Sequence, residues 1–509
     1  MLLLVTVVNG QPFFYPDTSN YVRAPDAAVV WLFGERFATS WTSADVIKMF
    51  GRRSADRVPS KSPPTSDSAG STSERTTSQN AQDPHTNSLD RNIIIYGRSA
   101  YYGALLYLGT VTGGFWFSVF TQALVVSYLI FILAVRCFRL PTSAFVLTIV
   151  ILSFFTTVPF FVGFLMPYIF AAITIMVTGI FIVYWDHIRP PERIVLAIIL
   201  AFSLLSHETH VLICVLMLFA YGIATLSYRF RVRYSHIASI VTLFACIMAG
   251  IFGQIAFGTI VTNITGISPI RPPLITARFI NLGPGYQYLK ANCSDPSFAV
   301  CQFLARLPVG TDSFIWSPDP HVGIFTPAAS DVKRALADEQ FSFAMNVFRF
   351  DPFGLVVAML TVGGHQMITF GLIEFKGAEN WKSFSDVPAL FVSKMRETIA
   401  SKHAWIVDMI SVLDYVVVVL SCLILITAGV IFAKQGTRYF LSPRASDSWP
   451  SKFLFCAVIG IGVVANAFIC ASFSTVHNHY QARVIWLIPL LAVLVVVSFL
   501  DASRRRPVP

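Results

Sequence analysis

The sequence predicts an all-α polytopic membrane protein of about ten transmembrane helices with two large outer-face regions. Three observations predict it. Hydrophobic residues are 55% of the 509-residue chain and charged residues only 13%, whereas a soluble domain carries about 25% charged residues. Mean hydropathy is +0.65, and several runs reach the roughly 20 apolar residues that cross a hydrocarbon core. Basic residues fall in short connections between those runs: Arg136 and Arg139, Arg189 and Arg193, Arg229, Arg231 and Arg233, Lys434 and Arg438, then Arg504, Arg505 and Arg506. Short loops rich in Lys and Arg mark the cytoplasmic side. The formal net charge of +10 is therefore a topology signal, and no nucleic-acid partner is expected from it.

Taken in order, the spans are expected near 1–9, 115–135, 143–165, 168–185, 194–206, 211–226, 237–262, 405–433, 453–473 and 484–500. Alternating them puts every basic loop, and both termini, on the cytoplasmic side of a cell (inner) membrane. The run from Met1 to Val8 is too short to span and lacks a basic flank, so it is a poor signal peptide. Either a start lies upstream or the first helix is stunted. The expected organisation is a short first span (1–9), an outer loop (10–114), a helix bundle (115–262), a second outer-face region (263–402), C-terminal spans (403–500) and a basic tail (501–509). Within the first outer loop, 27–50 alternates apolar and charged residues as an amphipathic helix lying on the membrane does. The following 56–92 is rich in Ser, Thr, Pro and Asn, has too few large apolar residues to build a core, and is expected to be disordered. Phe353 to Ile373 is apolar but carries Gly354, Gly363, Gly364, His365 and Gln366. A full span there would reverse the later loops, so it is expected to be interfacial or re-entrant.

Cysteine usage points outward. Cys293 and Cys301, with seven residues between them, suit a disulfide on an oxidising face. Cys137, Cys214, Cys246, Cys422, Cys456 and Cys470 lie in or beside apolar spans and read as packing residues. P-loop, dinucleotide, GxSxG and zinc signatures are lacking.

With this threading, the unusual polar motifs all reach the outer face: PDTSNY (16–21), GRSAYYG (97–103), PFFVGFLMP (159–167), SHETH (206–210) and HNHYQAR (477–483). Asp17 suits a general base or a divalent-metal ligand, against the alternative of a helix cap near Ser19. Asp26, after a proline, reads as the cap of the amphipathic helix. Arg98 offers a planar fork for phosphate, or is an interfacial arginine with its stem in the membrane. It precedes Tyr101 and Tyr102. Arg483 is near the start of an apolar helix behind His479 and Tyr480, where amide donors and a full charge would meet a bound anion. His207 and His210 share a helical face beside Glu208. They read as part of a metal or acid–base site, or as a plain polar turn. Asp408 and Asp414 sit in the outer half of a span, where carboxylates are costly.

The early acidic residue Asp17 after a first span, the amphipathic segment 27–50, many spans of uneven length and a large outer-face region resemble the GT-C superfamily of integral-membrane glycosyltransferases. The resemblance is architectural and covers most of the chain. It departs from the family in the truncated first span, the Ser/Thr-rich insertion and the lack of an obvious DxD or DD pair. It implies transfer of a sugar from a lipid-linked, polyprenyl-phosphate donor to a glycan or lipid acceptor at the outer leaflet. Asp17 would then be catalytic base or metal ligand, and Arg98, Tyr102, His207, His210, His479, Tyr480 and Arg483 would bind substrate. The metal is left open, a divalent cation being one option. The rival expectation is a transporter or flippase of a lipid-linked sugar or another amphiphile, using the same arginines and tyrosines.

Overall fold

In the absence of water, a backbone inside a bilayer satisfies its own hydrogen bonds, and this chain does so with helices. The computed structural model describes residues 1–42, 93–226, 234–294, 298–376, 387–439 and 449–504. In chain order the first helices are α1 (Leu4–Asn9), α2 (Pro16–Phe33), α3 (Ala100–Val111), α4 (Trp116–Phe131), α5 (Thr142–Phe155) and α6 (Val158–Val162). Next come α7 (Ile169–Tyr184), α8 (Pro190–Ser206), α9 (Glu208–Leu226) and α10 (Tyr234–Thr265). A second region holds α11 (Leu274–Leu282), α12 (Pro284–Asn292), α13 (Thr311–Trp316), α14 (Ser330–Phe350) and α15 (Pro352–Ile368). The chain closes with α16 (Ala389–Arg396), α17 (Ile399–Lys402), α18 (Ala404–Tyr439), α19 (Trp449–Phe473), α20 (Asn478–Ile485) and α21 (Leu487–Arg504). Among the described residues the extended pairing is confined to two isolated bridges, Phe13 with Phe164 and Ile95 with Ile270.

This is a multi-pass membrane protein, and the expected count of about ten spans is not supported. Among the described residues six helical segments are long and apolar enough to cross: Trp116–Cys137, Ile169–His187, Ile237–Thr265, Ala404–Lys434, Trp449–Phe473 and Asn478–Ser503. The bent pair α14 and α15, if one span, makes a seventh. The lost spans have local causes. The run 1–9 makes a six-residue helix ended by Gly10 in the left-handed region (φ +83°), a conformation glycine adopts without steric cost. The segment 143–165 breaks after Phe155, because Thr156 is extended and Pro159 opens a new five-residue turn. The two runs around SHETH form α8 and α9, separated at His207, which is extended. Tight packing centres on α7, 89% of whose apolar window is buried; α8, α9 and α19 surround it.

The second region has its own core, in which Phe279, Phe314, Phe325, Leu336, Phe343, Val347 and Leu355 meet Ile93 and Ile270. Cys293 and Cys301 are joined there by the expected disulfide, with Cα atoms 5.5 Å apart. α15 leaves this core at Leu355, bends 107° from α14 and packs along α19. The chain then turns back. Ile368 O accepts from Tyr415 Oη, Leu372 N donates to Ser411 Oγ, and Lys376 pairs with Asp408. The partners run backwards along α18 as the chain runs forwards, so residues 368–376 return towards the α18 N-terminus.

The amphipathic segment differs from its expected bounds. Helix α2 starts at Pro16, whose fixed φ suits a first turn, and ends at Phe33 before Gly34 (φ +100°); residues 43–50 lie outside the described residues. Asp26 is not a cap. It lies within α2, fully buried, and accepts hydrogen bonds from Thr39 Oγ1 (2.7 Å) and Thr42 Oγ1 (2.5 Å), tethering the chain after the helix. The 56–92 stretch and the basic loop of Arg229, Arg231 and Arg233 also lie outside the described residues.

Candidate functional site

The polar motifs are tied together by side-chain to backbone hydrogen bonds. Thr18 Oγ1 donates to Leu165 O (3.0 Å), Gln122 Nε2 to Val162 O (2.8 Å), Ser99 Oγ to Leu205 O (2.7 Å) and Thr157 Oγ1 to Ala482 O (3.1 Å). Each satisfies a carbonyl that a helix break leaves unpaired. The α5–α6 break therefore meets the end of α20, Ser99 ties the α8–α9 break to the start of α3, and Arg483 of α20 reaches Thr209 just past that same break.

Asp17, in the first turn of α2, is 2.5 Å from Arg98 Nη2, both side chains being 27% exposed. Arg98 donates as well to Gly97 O (2.9 Å) and lies over the Trp316 ring at 5.9 Å. Burial alone would lower the Arg98 pKa, but the charge and hydrogen bond of Asp17 outweigh it and raise it. Tyr15 and Tyr21 flank the pair, and burial pushes both phenols up. The Tyr21 phenol feels the charges of Arg98, Asp17 and Arg483 together. Ring contacts link the pair to Arg483: Tyr15, beside Asp17, lies 5.9 Å from His479, which stacks on Tyr168 at 4.8 Å, and Arg483 lies 5.5 Å from the Tyr168 ring.

Arg483 is fully buried. It donates to Asn466 Oδ1 through Nη2 (2.8 Å) and Nε (3.2 Å), and Nη2 also reaches Cys470 Sγ (3.1 Å) and Thr209 Oγ1 (3.4 Å). Its guanidinium lies 5.5 Å from the ring centroids of both Tyr168 and Tyr480. Among the described residues no carboxylate is within ion-pair distance of it, and its Nη1 has no hydrogen-bond partner. Arg483 is thus a buried guanidinium held by an amide and two aromatic faces, with Nη1 unpaired among the described residues.

His479 is also buried. Its Nδ1 is 2.7 Å from Glu374 Oε1. The ring is sandwiched by Tyr168 (4.8 Å, 7° between planes) and His477 (5.2 Å, 16°). The carboxylate contact makes Nδ1 the donor, and Nε2 has no partner among the described residues. Burial raises the Glu374 pKa, but the hydrogen bond and charge of His479 bring it below the ordinary glutamate value. His477 pairs with Asp312 (3.4 Å), and that hydrogen bond, against a smaller effect of burial, holds Asp312 below the usual aspartate value.

Tyr102 and His210 are engaged by partners of their own, and His207 lies near Arg483 through Thr209. Tyr102 is buried, donates from its hydroxyl to Gln122 Oε1 (3.2 Å) and packs edge-on against Tyr21 (5.3 Å), so it supports the wall behind the site. His210 turns Nδ1 to Ser203 O (2.7 Å) and braces the SHETH turn. His207 Nδ1 meets Thr209 Oγ1 (2.9 Å) and feels the charges of Arg483 and Arg98. Glu208 pairs with Arg271 at 2.9 Å. Asp408 pairs with Lys376, whereas Asp414 is buried and neither of its oxygens makes a hydrogen bond of good geometry. The Thr157 backbone N–H faces its carboxylate. Among the described residues no three His, Cys, Asp or Glu side chains are grouped to hold a metal ion.

Glu374, Asp312, Tyr168 and Asn466 were not singled out by the sequence. Asn466, an amide inside an otherwise apolar span, carried the one available signal. No family model, curated protein or solved structure matches this chain.

Proposed function

We propose that this chain is a membrane glycosyltransferase taking a sugar from a polyprenyl-phosphate-type donor at the outer leaflet, with both termini cytoplasmic. One observation carries the reading: Arg483 is a buried cation without a carboxylate partner among the described residues, and it shares a neighbourhood with the Asp17–Arg98 pair. A lipid phosphate supplies the anion that Arg483 lacks, and its tail suits a membrane protein. On binding, the phosphate competes with Asp17 for Arg98 and frees the carboxylate. Asp17 then takes the proton of the acceptor hydroxyl as its oxygen bonds to the sugar anomeric carbon. The bond from that carbon to the phosphate oxygen breaks, and the departing phosphate keeps the electron pair, stabilised by Arg98 and Arg483. Tyr15 and the exposed Trp316 offer ring surface to a sugar.

The test compares surface glycans and lipid-linked sugars by mass spectrometry in a deletion strain, alone or restored with wild type or Asp17→Asn at equal protein level. Restoration by wild type and not by Asp17→Asn supports the reading. Full restoration by Asp17→Asn makes Asp17 structural, and no glycan change on deletion removes the reading.

Asp414 favours a second reading, translocation of a lipid-linked sugar, because an embedded carboxylate without good hydrogen bonds is typical of transport pathways. In that case the deletion changes where lipid-linked sugars accumulate, and no glycosidic bond is formed by the purified chain.

A further inference from the structure

The outward face of α14 changes character along its length. Its inner face seats Leu336, Ala337, Phe343 and Val347 in the second core. At helical spacing on the opposite side, the exposed residues run Asp331, Ala335 and Asp338, then Phe341, Met345 and Phe348. Phe341 is 68% exposed, Met345 51% and Phe348 48%. Three large apolar side chains on successive turns need a cover, since soluble surfaces rarely leave such a stripe in water. The stripe continues across the 107° bend into Phe353, 79% exposed, then Val356, Val357 and Leu360 of α15. Those residues form the outward side of an apolar helix whose other side packs on α19. A helix almost perpendicular to one that descends into a bilayer lies close to the bilayer plane. Arg349, exposed beside the stripe, can lay its stem on hydrocarbon and reach phosphate with its head. Asp331 and Asp338 disfavour insertion of the other half of the helix.

We infer that the C-terminal half of α14 lies in the interfacial layer of the leaflet nearest the Asp17–Arg98 site, with phospholipid covering Phe341, Met345 and Phe348. The polar-to-apolar switch between Asp338 and Phe341 is where the helix enters lipid. This anchor presses the disulfide-bearing region onto the membrane surface, as amphipathic surface helices do. It is independent of the chemistry proposed for the site. Phospholipid is favoured over a protein partner because the stripe is continuous with the outward face of α15, and the two helices together are apolar enough for a membrane span.

The test is photo-crosslinking in phosphatidylcholine vesicles containing the full-length chain. Met345→p-benzoylphenylalanine is irradiated beside Ala335→p-benzoylphenylalanine, and intact masses are read without reductant so that the disulfide is retained. Phe348→p-benzoylphenylalanine provides an independent position if the first variant misfolds. The expected result is a mass increase of one phosphatidylcholine at 345 and 348 and none at 335. A chain-to-chain adduct at 345 and 348 assigns the face to a second copy and overturns the inference. Equal lipid adduct at 335, or none at 345 and 348, overturns it as well.

Discussion

Replacing Arg483 by methionine separates a ligand-binding arginine from a structural one. The substitution removes hydrogen bonds to Asn466 Oδ1 at 2.8 and 3.2 Å and two ring contacts at 5.5 Å. Charge-assisted hydrogen bonds contribute about 1.5–3 kcal/mol, and each cation–π contact about 1 kcal/mol. Against this, methionine abolishes the several kcal/mol (order of magnitude) that desolvating a buried, unpaired cation costs, while filling most of the volume. The two sides nearly cancel, so Arg483→Met is expected within about 2 kcal/mol of wild type in the unliganded protein. An arginine whose charge was neutralised inside the fold would cost about 3–5 kcal/mol on removal. Ligand response is where the variant fails. At a free concentration of 100 times Kd, a bound anion adds about 2.7 kcal/mol. The assay is thermal unfolding in detergent with farnesyl phosphate, and with farnesol as the uncharged control. Wild type is expected to shift upward with the phosphate only, and Arg483→Met with neither. A variant that unfolds without ligand, or one that keeps the phosphate-specific shift, refutes the reasoning.

Acid sensitivity follows from the carboxylates facing the two histidines. Glu374 and Asp312 are both held below their ordinary values of 4.5 and 3.8. Depressed carboxylates contribute stability that is present above the unfolded values and lost as pH falls through the folded ones. Stability is therefore expected to drop below pH 4.5, with a shallower drop in Glu374→Gln; an unchanged slope in acid unfolding curves contradicts this. Asp26→Ala leaves Thr39 and Thr42 without their acceptor, and its expected cost is about 2–4 kcal/mol, read as faster proteolysis after Phe33. Gly363 packs directly against the Phe468 ring, so Gly363→Leu is expected to cost about 1–3 kcal/mol by overpacking and to shorten the half-life in detergent. Cys293→Ser opens a loop with a sequence separation of 8, which costs about 2.5 kcal/mol in the chain-entropy account, seen as protease sensitivity near α12.

What the sequence made legible was the solvent each segment prefers. Apolar runs fixed the helical membrane class, and the cysteine spacing found the disulfide. Span count was less legible, because apolar length does not reveal a break. The 143–165 run reads as continuous until Thr156, Pro159 and Gly163 divide it, and its carbonyls at Val162 and Leu165 are met by Gln122 and Thr18 from a distance. Asp17, Arg98 and Arg483 stood out as charges near apolar segments, and the fold brings them to one end. Glu374 was hidden for the opposite reason. Its role depends on His479, 105 residues away in sequence, and on a chain reversal along α18 that no local pattern announces. The contacts of Tyr102 were likewise not legible, since Gln122 and Tyr21, distant in sequence, engage its hydroxyl and ring.

The most direct test of the central claim is lipid analysis of the protein purified from its native membrane, comparing wild type with Arg483→Met at equal yield. The account predicts that polyprenyl-phosphate-linked sugar is enriched with wild type and lost with the variant, while bulk phospholipid is unchanged. Bulk phospholipid alone with both proteins, or equal polyprenyl-phosphate lipid with both, would contradict it.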